Sequence, residues 1–242
     1  MMPELSVTVF IAAYNQARHL PDALNSLKQQ ILPSQDFEVI VIDDGSTDDA
    51  QSVLRAYKKF IRVIIRENKG LVASCNEGLA LARGRYFARL DSDDTADSRW
   101  LNRLLKAMDS QPDACCACTD RFEITAKDKR YVSVQEDNIF SLIIGGTFFR
   151  TEMLRRIGGF RQFYWEEYDL YLRLRGLGAF IYVREPFYMY RKHVDSMTGD
   201  EDRRLNGWRE LIQEWGIETL RAAGDDADFK KVLKAMRRNG QR

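Results

Sequence analysis

The chain has 242 residues, 45% apolar and 30% charged, an ordinary balance for a folded protein with a well-buried core. Thirty-seven basic residues against 36 acidic ones leave a net charge of +1, which argues against a nucleic-acid partner, since phosphates call for a basic excess. No apolar run is long enough to cross a bilayer, and the opening MMPELS lacks the basic and apolar regions of a signal peptide, so the expected location is the cytoplasm.

In chain order, LSVTVFIA (Leu5 to Ala12) is β-branched and apolar, as a strand buried on both faces should be. HLPDALNSLKQQ has Leu20, Ala23, Leu24 and Leu27 at helical spacing, with Pro21 where a first turn tolerates it. FEVIVIDDGSTDD predicts a second buried strand running into a turn, where Asp48 or Asp49 can cap a helix containing Val53, Leu54 and Tyr57. IRVIIRE is a third strand, GLVASCNEGLALARG a helix ending at Gly84, and RYFARLD a fourth strand. Three strand–helix units in succession argue for a parallel sheet covered by helices on both faces.

The pattern then changes. SRWLNRLLKAMDS reads as an amphipathic helix, ACCACTDRFEI and YVSV as strands of a mixed region, and GGTFFR as a short strand. TEMLRRIGGF is a short helix with a glycine stop, EEYDLYLRLRGLG a longer helix, and FIYVREPFYMYRKH a strand. Beyond Ser196 the chain becomes charged and helical. Leu205, Trp208, Leu211, Ile212 and Trp215 form an apolar stripe, and the last segment, FKKVLKAMRRNGQR, carries six basic residues. The expected layout is one domain over 1–197 with a helical extension over 198–242. The stripe is expected to pack on that domain.

The cysteines of DACCACTD lack the paired spacing of a zinc site, and the expectation is reduced thiols in a buried strand. Strict alternation would turn Cys116 and Cys118 to one face and Cys115 to the other.

Ligands of a parallel α/β sheet bind beyond the carboxyl ends of its strands. Three such ends are polar here: Ala12 to Asn15, Ile42 to Asp48, and Leu90 to Asp94. Tyr14 offers a ring for a base to stack on, and Asp44 a carboxylate to accept an N–H. Asp91, Asp93 and Asp94 offer hard oxygen ligands for a divalent cation, which would let an acidic corner sit beside phosphates. The plainer alternative is that these aspartates form a turn and cap the helix from Ser98 to Ser110.

Six segments, VTVFIAAYN, EVIVIDDGSTD, NKGLVASCNEGLALARGRYFARLDSDD, GGTFFRTEMLRRIGGF, WEEYDLYLRL and YRKHVDSM, together resemble the family 2 glycosyltransferases of GT-A fold, in family order over about the first 197 residues. The resemblance implies an α/β fold. A Rossmann-like, mostly parallel sheet flanked by helices would be joined to a mixed acceptor-side region. It also implies transfer of a sugar from a nucleotide-diphosphate donor, most commonly a UDP-sugar, to a hydroxyl, with inversion at the anomeric carbon.

Carried over by position, Ala12, Tyr14 and Asn15 lie at the donor base and Asp44 pairs with its N3–H. Asp91, facing the ribose or an outer-shell water, and Ser92 beside it complete the donor side. Asp93 would ligate Mn²⁺ or Mg²⁺, and His193 matches a histidine near metal and diphosphate, which favours Mn²⁺. Arg191 could hold the leaving phosphate. The acidic pair supplying the general base is Glu166–Glu167, with Glu167 where the family usually has Asp; Asp169 is the fallback. Gly145 and Gly146 match a loop that lets the acceptor approach, although a simple turn uses glycines equally well. Phe148, Phe149, Phe163, Tyr164 and Trp165 are expected in core packing, and His19 at the surface or as a helix cap.

The expected partners are the donor and a glycan or lipid-linked acceptor, with the basic tail making peripheral contact at the inner face of a membrane. Two other readings are weighed. A catalytically silent nucleotide-sugar-binding module is motivated by the glutamate at the base position. A nucleotidyltransferase would open with a glycine-rich phosphate loop, and AAYNQARHL has no glycine.

Overall fold

The computed structural model describes residues 5–193 and 199–238. The end of YRKHVDSM after His193, the expected boundary at 197–198, and Arg242 lie outside the described residues.

Strand β1 (Val7–Ala13) pairs in parallel with β2 (Phe37–Asp43) and β4 (Tyr86–Arg89), and β2 with β3 (Arg62–Ile65). Period-two alternation explains why both faces need cover. Val7, Val9, Ile11 and Ala13 enter one core cluster, while Phe10 enters the other. Helices α1 (Leu20–Lys28), α2 (Ala50–Ala56) and α4 (Trp100–Ser110) close the first face through Leu24, Leu27, Leu54, Trp100 and Leu104. Helix α3 (Leu71–Leu81) closes the second. Asp48 does accept the Ala50 N–H at 3.1 Å, so it helps to start α2.

The rest of the sheet is mixed. β5 (Thr95–Ala96), β6 (Ala114–Ile124), β7 (Lys129–Val132), β8 (Thr147–Arg150) and β9 (Ala179–Arg191) extend it to the order β3-β2-β1-β4-β8-β6-β9-β5, with β7 paired to β6. β8 runs antiparallel to both β4 and β6, whereas β9 runs parallel to β6. Helices α5 (Thr151–Arg156) and α6 (Glu166–Leu174) follow β8. Helix α6 ends before the expected RGLG because Arg175 turns to an extended backbone.

Cys115 departs from the alternation argument. A register shift between Ala114 and Cys116 puts one extra residue in β6, and Cys115 joins the same core cluster as Cys116 and Cys118. All four cysteines are free and buried, as expected.

Helices α7 (Glu201–Trp215), α8 (Ile217–Ala223) and α9 (Ala227–Arg238) complete the second face. Trp208 is fully buried, its ring 4.9 Å from Phe140, 5.6 Å from Tyr168 and 5.0 Å from Phe229. The tail thus shares one core cluster with the sheet. Phe148, Phe149 and Trp165 are buried, and Phe163 and Tyr164 pack partly buried against the same cluster, so this aromatic group is core. Among the described residues no helix is long and apolar enough to cross a membrane.

Candidate active site

Because β1, β2 and β4 are parallel, their carboxyl ends open on one edge. The first two loops are laced together there. Asn15, in a left-handed backbone (φ 54°), accepts the Thr47 N–H at 2.8 Å and gives its own N–H to Ser46 Oγ at 3.0 Å. Asp48 Oδ2 takes the Ala17 N–H at 2.8 Å. Asn15 is therefore a fastener of the loop, and the neighbouring Tyr14 ring is left 49% exposed, ready for stacking. Ala12, just before it, is partly buried.

Asp44 is buried and holds the loop before α3. Its Oδ1 meets Arg66 Nη1 at 2.7 Å and the Lys69 N–H at 3.0 Å, and its Oδ2 takes the Gly70 N–H at 2.8 Å. A carboxylate offers about four lone-pair positions, so roughly one remains to accept a further N–H.

The acidic corner after β4 is met by a guanidinium, an imidazole and a backbone N–H. Asp91 Oδ1 lies 2.5 Å from Arg89 Nε, and the Asp91 N–H donates to the Tyr188 hydroxyl at 3.1 Å. Asp93 Oδ2 lies 2.8 Å from His193 Nε2, while Asp94 accepts the Arg191 N–H at 2.6 Å. Ser92 and Asp94 are buried. Burial, followed by the charges of Asp91 and Asp93, pushes the Asp94 carboxyl well above the usual range. Asp94 is an anchor for β9, and Asp97, which accepts the Arg99 N–H at 2.9 Å, is the helix-start acid. That leaves Asp93 and His193 as the pair that could hold a divalent cation between them. Among the described residues no cluster of three or more metal-binding side chains occurs.

The Arg191 guanidinium reaches His19 Nδ1 and Asp22 Oδ2, each at 2.9 Å. The His19 ring stands 5.3 Å from that of His193. Burial, then Arg191 and His193, lowers the His19 pKa. His19 occupies the residue before α1 but makes no side-chain cap bond. The expectation of a surface or capping role is corrected: it belongs to the cluster at the site's rim. The available signal was its place six residues beyond the end of β1.

The second acidic group starts α6. Glu166 is buried against Arg89, Oε1 to Nη1 being 2.9 Å. Glu167 is partly exposed, and burial of its carboxyl together with the charge of Glu166 pushes its pKa well above that of an ordinary glutamate. Asp169 is 0% exposed and taken up by Arg161 at 3.1 Å, Arg173 at 2.8 Å and the Trp215 indole N–H at 3.2 Å. The Asp169 carboxylate ties α6 to the tail.

Gly145 and Gly146 precede β8. Both are buried, and a Cβ on Gly145 would lie 2.2 Å from the Tyr188 hydroxyl, while Gly146 has φ +79°. The space they leave is filled by Tyr188, the residue that holds Asp91 from behind. Arg89, Tyr188 and Arg66 were missed as site-supporting residues, because each acts across a fold contact that local sequence does not display.

Residues 8–173 match the family model described as "Glycosyl transferase family 2". The chain belongs to this family. It is 27% identical to the "Putative glycosyltransferase EpsH" of Bacillus subtilis over 94% of this chain and 73% of that protein. It is 34% identical to the "Putative teichuronic acid biosynthesis glycosyltransferase TuaG" of the same organism over 46% of this chain and 44% of that one. Among solved structures, S. aureus TarS 1-349 in complex with UDP-GlcNAc superposes with a TM-score of 0.75 at 18% identity, covering 98% of this chain and 75% of that one. The mannosyltransferase PcManGT from Pyrobaculum calidifontis, in complex with GDP-Man and Mn²⁺, gives 0.66 at 20% identity over 95% and 68%. At these identities the likeness shows the fold, which is GT-A.

Proposed function

We propose that this glycosyltransferase moves a sugar from a nucleotide-diphosphate donor, a UDP-sugar first, to a hydroxyl of a glycan or lipid-linked acceptor, inverting the anomeric centre. The observation that carries the reading is the Asp93–His193 pair, 2.8 Å apart, on the same sheet edge as Tyr14 and Asp44. The Glu166–Glu167 helix start joins this corner through Arg89.

Tyr14 stacks on the base and Asp44 accepts its N–H through the remaining lone pair. Asp91 and Ser92 border the ribose, and Arg191 stands ready for the leaving phosphate. Asp93 and His193 fit a divalent cation in number, since such ions can take one or two protein groups and complete their shell with water and substrate phosphates, and the imidazole suits Mn²⁺ better than Mg²⁺. Held there, the ion would supply Lewis-acid stabilisation to the departing diphosphate. Glu167 takes the acceptor proton as its oxygen attacks from the face opposite the diphosphate, so one displacement inverts the centre. Burial and the Glu166 charge raise its proton affinity, which makes it a stronger base than an ordinary glutamate.

Similarity to TuaG and, at 34% identity over 40% of this chain, to the "Poly(ribitol-phosphate) beta-glucosyltransferase" of Bacillus spizizenii supports an acceptor in polysaccharide assembly. The cations Lys234, Arg237 and Arg238 on α9 support peripheral contact with an anionic membrane surface, reached from the cytoplasm.

Calorimetry with UDP in Mn²⁺ and in excess EDTA tests the reading, with UDP release from UDP-GlcNAc as the activity probe. The expected result is UDP affinity that falls in EDTA and survives Glu167→Gln, whereas turnover does not survive it. Undiminished affinity and turnover in EDTA would overturn the proposal.

A further inference from the structure

Arg89 ends a strand whose other residues, Tyr86, Phe87 and Ala88, are all buried, and it is itself only 6% exposed. A guanidinium in such a place costs several kcal/mol unless both its charge and its donors are met. It is met from two directions. Nε lies 2.5 Å from Asp91 Oδ1, two residues ahead in the donor-side loop, and Nη1 lies 2.9 Å from Glu166 Oε1, 77 positions along the chain. Nη1 is also 3.8 Å from the buried Cys75 thiol.

We propose that Arg89 is a positioning residue for sugar transfer: one guanidinium fixes the donor-side carboxylate Asp91 and the first residue of α6 in a single mutual geometry, and so places the neighbouring Glu167. The inference rests on Glu167 being the base. A rigid planar fork suits this task, because it can serve two carboxylates at set angles, which the point charge of a lysine cannot.

The arrangement has an electrostatic signature. The groups whose charge reaches Glu167 are Glu166 on its own helix, which raises its pKa after burial has done so, and Arg89 on β4, which lowers it. The phenols of Tyr164, Tyr168 and Tyr171 also feel Glu167, but burial holds all three above their ordinary values, so they stay neutral around pH 7. Removing the Arg89 charge must therefore raise the Glu167 pKa, and removing the Glu166 charge must lower it. A residue that merely filled space would move neither.

The test is a ¹³C carboxyl titration of the full chain labelled at glutamate, with the Glu167 signal assigned by its loss in Glu167→Gln. The expected midpoint moves up by about one pH unit in Arg89→Met and down by a similar amount in Glu166→Gln. Arg89→Lys keeps the charge and most of the midpoint, yet lowers kcat for UDP release from UDP-GlcNAc about tenfold, because the fork is lost. If Arg89→Met does not fold, Glu166→Gln and Arg89→Lys carry the test. A Glu167 midpoint unmoved by Glu166→Gln, or full turnover in Arg89→Lys, overturns the inference. Turnover retained in Glu167→Gln would instead overturn the base assignment, a separate result.

Discussion

Two short acidic runs frame the crevice, DSDD at the end of β4 and EEYD at the start of α6, and each packs three carboxylates into four residues. The fold sorts the six by burial and partner. One of each run is an anchor: Asp94 holds the β9 backbone, and Asp169 holds Arg161, Arg173 and Trp215. A second of each, Asp91 and Glu166, shares Arg89. The third of each, Asp93 and Glu167, is partly exposed, as Asp91 is too, and stands next to the place where chemistry is proposed. Carboxylates of one run acquire three different duties because burial and neighbouring charge, rather than residue type, differ from one to the next.

Substitution can break this three-way sorting. Glu167→Gln should lower turnover by about 10²–10⁴-fold, the usual worth of a general base, with little change in melting temperature. Asp169→Ala should do the reverse. It removes the buried acceptor of Arg173 and of the Trp215 indole N–H, while Arg161 keeps Glu214 and Arg173 keeps the Ile157 and Gly159 carbonyls. Urea unfolding should therefore lose about 3 kcal/mol, while turnover per folded molecule stays near normal. Matching effects from the two variants would mean that the sorting is wrong. Asp93→Asn should weaken UDP binding in Mn²⁺ about tenfold or more, with a smaller effect in EDTA, as read by calorimetry.

The pH profile sharpens the contrast further. A base must be deprotonated to act, and burial followed by the Glu166 charge holds Glu167 above the ordinary glutamate value. Turnover should therefore fall away as pH drops through that raised pKa. The acid limb should lie above the ~4.3 of a free glutamate, moving lower in Glu166→Gln. A limb at the free value would contradict the crowding of Glu166 on Glu167.

How far the sequence discloses this sorting depends on the reach of each interaction. The four parallel strands were legible from apolar runs of β-branched residues, and the crevice from the polar strand ends, since both are local patterns. The duties of Asp94 and Asp169 were not, because the partners that bury them, the Arg191 backbone and Trp215, lie 97 and 46 positions away. His19 was misjudged for the same reason: its contact with Arg191 spans 172 positions. Cys115 was misjudged locally, as a bulge shifts the alternation on which the expectation rested. A side chain at Gly145 or Gly146 would meet Tyr188 from a distant strand, a contact that the pair's own sequence does not display.

The same contrast between buried and exposed members of one run holds, more weakly, on α9. Phe229 and Val232 face inward and are buried, whereas Lys230 pairs with Asp225 and Lys231 with Glu201. These four belong to the core and its rim, so replacing them would confuse folding with binding. Lys234 is exposed and takes part in none of the ion pairs among the described residues, which makes it the cleaner probe of the proposed lipid contact. An anionic surface contributes about 1 kcal/mol per nearby cation, so Lys234→Glu should cut partitioning onto phosphatidylglycerol vesicles roughly fivefold or somewhat more. UDP affinity and melting temperature should not move. Partitioning equal to that of the unaltered chain would remove the membrane from the proposal and leave the tail with packing alone as its task.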